Sequence, residues 1–112
     1  MNTPNLTWDD FTKLDIRAGA ILEAEVFEAA RKPAYKLVID FGAAGIRKSS
    51  AQITRLYAPQ ELVGKQVLAV INFPPKQIAN FFSECLVLGV VNGDEVTLIT
   101  PDKPVKNGWK VG

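Results

Sequence analysis

Residues 16–26 read IRAGAILEAEV, and this stretch decides the fold class because its side chains alternate with a period of two. The apolar members are predicted to face the interior, and they are Ile16, Ala18, Ala20, Leu22, Ala24 and Val26. Arg17, Glu23 and Glu25 fall on the opposite face, which is typical of a long, half-buried β-strand. Gly19 predicts a bulge or sharp bend, the kind of break that lets one strand serve two sides of a small barrel.

Further strands are indicated downstream. Residues 35–41 alternate cleanly, and residues 46–53 form a third strand that is substantially polar on both faces, so it does not serve mainly the core. Residues 66–72 and 86–91 are continuous apolar runs, which is typical of strands covered on both faces. Since the interior of one small barrel covers a single face of these strands, we expect a second subunit to cover the other, as in a homodimer.

Short helices connect these strands. Thr7 is followed by Asp10 three residues later, a pattern that predicts a helix start and a short helix over residues 7–13. Residues 54–64 contain Pro59 and predict one or two helical turns between the third and fourth strands. Neither helix is long enough to form a domain of its own.

The order of these elements predicts the fold. Asn92-Gly93 indicates a hairpin turn, with a return strand over residues 96–99. The strand count, the helix after the third strand and the lack of a βαβ pattern predict an all-β fold, a small closed OB-fold barrel of five to six strands. We assign residues 1–112 to one domain, with the barrel over about 14–99 and a C-terminal extension over about 100–112.

The amino-acid composition argues against a catalytic or metal-binding site. The chain contains no histidine, which removes the commonest general base and the commonest nitrogen ligand of metals. Cys85, the single cysteine, precedes an apolar run and is interpreted as a small buried hydrophobe. No carboxylate pair has a convincing buried setting and no glycine-rich phosphate loop is present, so we expect no enzymatic activity, no metal and no cofactor. Neither a secretion signal nor a membrane-spanning run is indicated, so we expect a cytoplasmic protein without membrane insertion.

The connection between the fourth and fifth strands, residues 72–88, is unusually apolar for a loop. Its two prolines fix the backbone, so its apolar side chains either fold back on the core or stay available to a partner. We hypothesise that they form a groove for an extended polypeptide, with dimer packing as the alternative. The candidate peptide-binding residues are Phe73, Pro74, Pro75, Ile78, Phe81 and Phe82.

A second candidate set is basic and polar. Residues 29–76 carry eight bases against two acids (8 − 2 = +6), although the whole chain has a formal charge of +1. Such side chains could contact the phosphates and sugars of RNA while nearby phenylalanines stack on bases; the alternative is an ordinary solvated barrel face. The candidate RNA-binding or basic-rim residues are Arg31, Lys32, Lys36, Arg47, Lys48, Ser49, Ser50, Gln52, Arg55, Lys76 and Ser83.

Several blocks of this sequence resemble a known family. The blocks are residues 14–19 (LDIRAG), 49–53 (SSAQI), 62–67 (LVGKQV), 72–76 (NFPPK) and 83–89 (SECLVLG). Together they resemble the tRNA-binding OB-fold domain, which occurs as free-standing tRNA-binding proteins and as the C-terminal appendix of methionyl-tRNA synthetases. The resemblance covers nearly the whole chain, from about residue 11 onward.

Within this family, the chain most resembles the CsaA-type bacterial export chaperones. The runs SSAQIT at residues 49–54, NFPP at 72–75 and PDKPVKNG at 101–108 carry this similarity. The resemblance implies a homodimer that binds exposed segments of unfolded or precursor proteins and assists their export.

Two departures bear on the choice between polypeptide and tRNA. The chain has Ser83-Glu84-Cys85-Leu86 where RNA-binding members usually carry Ser-Glu-Gly-Met. Residues 27–31 (FEAAR) replace a His-Pro-Asn-Ala-Asp-like loop. We therefore expect a polypeptide-binding chaperone first, with tRNA binding as the alternative.

Overall fold

The computed structural model describes residues 3–112, which form nine strands, two short α-helices and a single 3-10 turn (Gly42–Ala44). The helices are α1 (Trp8–Thr12) and α2 (Pro59–Leu62). The strands are β1 (Ile16–Val26), β2 (Tyr35–Asp40), β3 (Ile46–Ala51), β4 (Gln66–Val70), β5 (Lys76–Ile78), β6 (Phe81–Ser83), β7 (Leu86–Val87), β8 (Gly89–Asn92) and β9 (Glu95–Leu98). No helix among the described residues is both long enough and apolar enough to cross a membrane.

Five antiparallel strands, in the order β3-β2-β1-β4-β7, curl into a nearly closed barrel. The predicted all-β OB-fold barrel is therefore confirmed. Two further hairpins, β5–β6 and β8–β9, project from it. The β5–β6 hairpin lies inside the segment predicted to be a loop, since Lys76 pairs with Ser83 and Ile78 with Phe81 beyond the two prolines.

Side chains close the seam between β3 and the segment before β7. The Glu84 carboxylate accepts a hydrogen bond from the Lys48 amide (2.9 Å), and the Glu84 amide donates to the Lys48 carbonyl (2.8 Å). Ser49 Oγ donates to the Cys85 carbonyl (2.9 Å), and Ser83 Oγ accepts from the Ser50 amide (3.1 Å). Ser49 is completely buried in this seam, so one polar side chain of β3 lies inside the barrel, whereas Ser50 contributes to the seam only through its backbone amide.

Strand β1 serves two sides of the barrel, as its sequence predicted, but it bends at a different residue. Residues 16–20 pair with β4, residues 20–26 pair with β2, and the register shifts between Ile21 and Glu23 rather than at Gly19. The extra residue changes which side chains face the core, since Ile21 does so before it and Ala24 beyond it. Leu22 and Val26, which were also predicted to face inward, are exposed.

The core lies inside the barrel and is dominated by β2. Tyr35, Leu37, Ile39 and Phe41 are all buried, which confirms the face predicted for this strand. Gly19 of β1 lies against the same cluster, because a Cβ atom there would sit 2.6 Å from the Phe41 ring. Glycine is thus required at this position by close packing and not by a bend.

Both predicted helix starts are formed. The Thr7 side chain accepts a hydrogen bond from the Asp10 amide (3.0 Å), and the Asp10 carboxylate accepts from the Thr7 amide (3.4 Å), which completes a capping box. At α2, Pro59 occupies the first turn, and the Glu61 carboxylate accepts from the Ala58 amide (2.9 Å).

The C-terminal segment runs along β1 where β2 no longer pairs with it. The Ala18 amide donates to the Trp109 carbonyl (3.0 Å), and the Ala18 carbonyl accepts from the Gly108 amide (2.7 Å). Arg17 Nη1 donates to the Gly108 carbonyl (3.0 Å). The carboxylate of Asp15, 2.6 Å from Arg17 Nε, raises the pKa of this guanidinium further above neutrality. The segment is thus held by both backbone and side-chain bonds.

Candidate functional site

A groove of about 880 Å³, here called the main groove, opens between the two projecting hairpins. Its floor is the end of β3 and the residues that follow, 50–55. One wall contains Phe73 and the β5–β6 hairpin, and the other contains residues 85–89 and the β8–β9 hairpin. The long connections of the barrel therefore converge on one surface, as expected for an OB fold.

The walls of the main groove are apolar and open to solvent. Phe73 is 53% exposed, Leu86 49% and Val91 69%. Ile78 and Val96 line the groove from the opposite hairpins. Exposed apolar side chains gathered in one concave surface are typical of a binding site for another macromolecule.

The predicted site residues divide into two groups by position. Those that line the main groove are Lys32, Ser50, Gln52, Arg55, Phe73, Pro74, Lys76, Ile78 and Ser83. Those outside it are Arg31, Lys36, Arg47, Lys48, Ser49, Pro75, Phe81 and Phe82. The structure thus brings together part of the predicted peptide set and part of the predicted basic rim.

Arg47 and Ser49 have structural contacts in place of ligand contacts. Arg47 Nη1 donates to the Ile71 carbonyl and Nη2 to the Ala44 carbonyl, both at 3.3 Å. Ser49 is completely buried in the seam with Cys85. These two polar side chains hold β3 in the barrel, so neither presents its polar atoms to a ligand.

A smaller groove of about 450 Å³ lies on the outer face of β1 and β2 and is here called the lateral groove. Lys36 and Lys48 line it together with Glu23 and Glu25, so its charges balance. Lys36 Nζ lies 3.1 Å from a carboxylate oxygen of Glu25. The basic set predicted from the sequence is therefore neutralised where it reaches this face.

Phe81 is packed against the barrel. Its ring centroid is 5.2 Å from that of the buried Phe27, in an edge-to-face arrangement. Lys36 Nζ lies 5.6 Å from the Phe27 centroid and 6.0 Å from the Phe81 centroid. Of the three phenylalanines predicted for the site, Phe81 thus packs within the protein, whereas Phe73 and Phe82 are each 53% exposed.

Sequence reasoning missed one wall of the main groove. The sequence predicts strands at Leu86, Val91 and Val96 and a turn at Asp94, with no role in binding, but all four line the groove. Residues 86–91 did carry a signal for this wall. They are continuously apolar, and the interior of one barrel can cover only one of their two faces.

Cys85 titrates outside the ordinary range. Burial raises the pKa of its thiol to about 11, although the hydrogen bond from Ser49 and the charge of Arg47 partly oppose the shift. The folded chain therefore keeps this proton over a pH range in which an unfolded chain, with the ordinary value of 9.0, has released it. The neutral thiol is unreactive at neutral pH.

We expect this burial to make stability depend on pH. Between about pH 9 and pH 11 the folded state binds the extra proton, so raising the pH favours unfolding, by about 2 kcal/mol in total. Urea unfolding of the natural chain and of Cys85→Ala across this range measures the difference in slope. Equal slopes for both proteins would contradict the assignment.

The comparisons with known proteins agree with the barrel. Residues 16–110 match the family described as "Putative tRNA binding domain". The chain belongs to the tRNA-binding domain family. Over 108 residues, 96% of this chain, it is 38% identical to the methionine–tRNA ligase of Methanoculleus marisnigri. The chain spans only 16% of that ligase.

Two solved structures match nearly the whole chain and are themselves matched over their full length. The chaperone CsaA of Bacillus anthracis is 47% identical with a TM-score of 0.93, covering 97% of this chain and 100% of its own. The CsaA chaperone protein of Picrophilus torridus is 54% identical with a TM-score of 0.90, covering 96% and 100%. This member of the tRNA-binding domain family is thus similar to CsaA chaperones over almost all of its length.

Proposed function

We propose that this chain is a cytoplasmic, homodimeric chaperone, without enzymatic activity, that binds exposed segments of unfolded or precursor proteins and assists their export. The observation that carries the proposal is the main groove, with its solvent-open apolar walls. The similarity to two CsaA chaperones over their whole chains supports it.

The shape and lining of the main groove suit an extended polypeptide. Two hairpins form its sides, so a strand-like segment can run between them with its side chains against both walls. Phe73, Ile78 and Val91 offer apolar contact without a deep pocket of defined shape. Such a surface binds many sequences, which is what a protein that holds unfolded chains requires.

The homodimer is proposed from the apolar surface that one chain leaves exposed. Trp8 is 72% exposed, Trp109 59% and Val90 63%, and Val90 lies on the side of β8 that does not line the main groove. A second copy would remove exposed apolar side chains of this kind from water.

Binding of tRNA is the second candidate function. The family and the similarity to the synthetase domain favour it, and Lys32, Arg55 and Lys76 at the main groove could contact phosphates. Against it, Glu23 and Glu25 neutralise the lateral groove, Arg47 is bound to carbonyls and Phe81 is packed on Phe27. We therefore favour polypeptide binding over tRNA binding.

A salt titration separates the two functions. We expect a labelled unfolded polypeptide to bind with an affinity that changes little between about 50 and about 500 mM salt, because apolar contacts dominate. Binding of labelled tRNA would fall steeply over this range, because each neutralised phosphate releases counterions. Fluorescence anisotropy measures both. Tight, steeply salt-dependent tRNA binding without polypeptide binding would overturn the chaperone proposal.

A further inference from the structure

Three cations surround the main groove, each from a different part of the chain. Lys32 comes from the loop between β1 and β2, Arg55 from the turn after β3, and Lys76 from the start of β5. All three are exposed. Asp94 is the one acidic residue among the described residues that line the groove. Its mouth therefore has a net positive charge.

Two of the cations have no carboxylate beside them. Within residues 3–112 the ion pairs involve other bases, and none includes Lys32 or Lys76. Arg55 does have a partner, because its Nε lies 3.3 Å from Oδ2 of Asp94. This pair joins the turn after β3 to the β8–β9 turn, and both side chains are more than 60% exposed (63% and 73%).

The arrangement is suited to acidic polypeptide rather than to nucleic acid. Phe73 is the single aromatic residue among the described residues that line the main groove, so successive bases would have no series of rings on which to stack. The walls between the cations are apolar, which suits aliphatic side chains. Carboxylates placed on either side of an apolar stretch would meet cations at the groove mouth.

On the basis of the proposed function, we propose that the main groove prefers extended apolar segments flanked by aspartate or glutamate, and that Asp94 is an internal competitor for Arg55. A carboxylate of the bound segment replaces the Asp94 carboxylate beside Arg55. The exchange is easy because an ion pair this exposed is weak. Segments flanked by lysine or arginine are repelled by the same cations.

Three fluorescent peptides with one apolar core, flanked by glutamate, glutamine or lysine, test the preference by anisotropy with the full chain. At about 50 mM salt the glutamate peptide is expected to bind about fivefold more tightly than the glutamine peptide. The lysine peptide is expected to bind most weakly. The difference should shrink at about 500 mM salt, because exposed charges are screened.

Two variants test the role of the ion pair. Asp94→Asn keeps a residue favoured in turns and is expected to increase affinity for the glutamate peptide about two- to threefold, with no change for the glutamine peptide. Arg55→Gln is expected to reduce the preference for glutamate. Asp102→Asn makes the same chemical change away from the groove, and Lys103→Gln likewise removes a distant cation, so both should bind as the natural chain does.

Several outcomes overturn the proposal. Equal binding of the three peptides at low salt would remove the charge preference while leaving the chaperone function standing. Binding of an RNA oligonucleotide with no binding of any peptide would remove both. If peptide affinity fell as protein concentration rose, a second copy of the chain would be the occupant of the groove. Lack of any effect of Asp94→Asn would remove the competitor role.

Discussion

Gly19→Ala is expected to lower the free energy of unfolding by about 3 kcal/mol, at the upper end of the effect of adding one carbon to a packed core. The added Cβ would lie 2.6 Å from two carbons of the Phe41 ring and 2.7 Å from Cγ2 of Ile39. Both neighbours are completely buried, so neither side chain has space into which it can move. The barrel must therefore widen between β1 and β2, or the side chains of Phe41 and Ile39 must leave their rotamers.

Thermal and urea unfolding measure this effect, with a decrease in melting temperature of about 10 °C or more. Gly64→Ala is the matched control, because a Cβ there meets no atom within 4 Å but the backbone φ is +92°. That variant has only the cost of a left-handed backbone, about 1 to 2 kcal/mol. If Gly19→Ala were no more destabilising than Gly64→Ala, the close contact between β1 and Phe41 would be refuted.

Phe73→Ala is expected to weaken binding of an unfolded polypeptide about tenfold or more, since exposed aromatic side chains at the centre of an interface usually dominate its affinity. Phe73 lies on the wall of the main groove and is 53% exposed. Its ring is thus in contact with solvent before a ligand covers it. Anisotropy with a labelled polypeptide measures the change.

Phe82→Ala provides a closely matched control. Phe82 is also 53% exposed, but it does not line the main groove. The same truncation should therefore change binding by less than about twofold. Equal losses from both variants would remove the main groove as the binding site. If Phe73→Ala instead dissociated the proposed dimer in sedimentation measurements, the residue would belong to the contact between copies.

The features that could be predicted from the sequence depend on neighbouring residues. The capping box needs only Thr7 and Asp10. The turn after β8 needs only a residue that adopts a positive φ, and Gly93 does so (63°). The buried face of β2 follows from strict alternation. Each of these features has a physical cause that involves only residues close together in the chain, so it can be predicted from one sequence.

The bend in β1 could not be placed because its cause is not local. Ile21 and Leu22 are consecutive apolar residues, and either could face inward. The register of β2 against β1 decides between them, and that register depends on how the barrel closes. The glycine was the visible signal, but its small size serves the contact with Phe41.

The candidate site was only partly predictable for the same reason. The roles of Arg47 and Ser49 are set by carbonyl groups distant in sequence, those of Ile71 and Cys85. Nothing near β3 in the chain distinguishes these residues from Ser50 or Gln52, which do line the main groove. Which polar residue binds a ligand and which binds a carbonyl is therefore a property of the closed barrel.

The C-terminal segment also has a consequence for the proposed chaperone function. An unpaired strand edge is a template on which another chain can add a strand and start aggregation. Beside Ala18, where β2 has turned away, the amide and carbonyl groups of β1 are occupied by Gly108 and Trp109 of the same molecule. Strand addition there would first require the segment to leave. Under the proposed function, this pairing keeps the β1 edge from joining aggregates of unfolded chains.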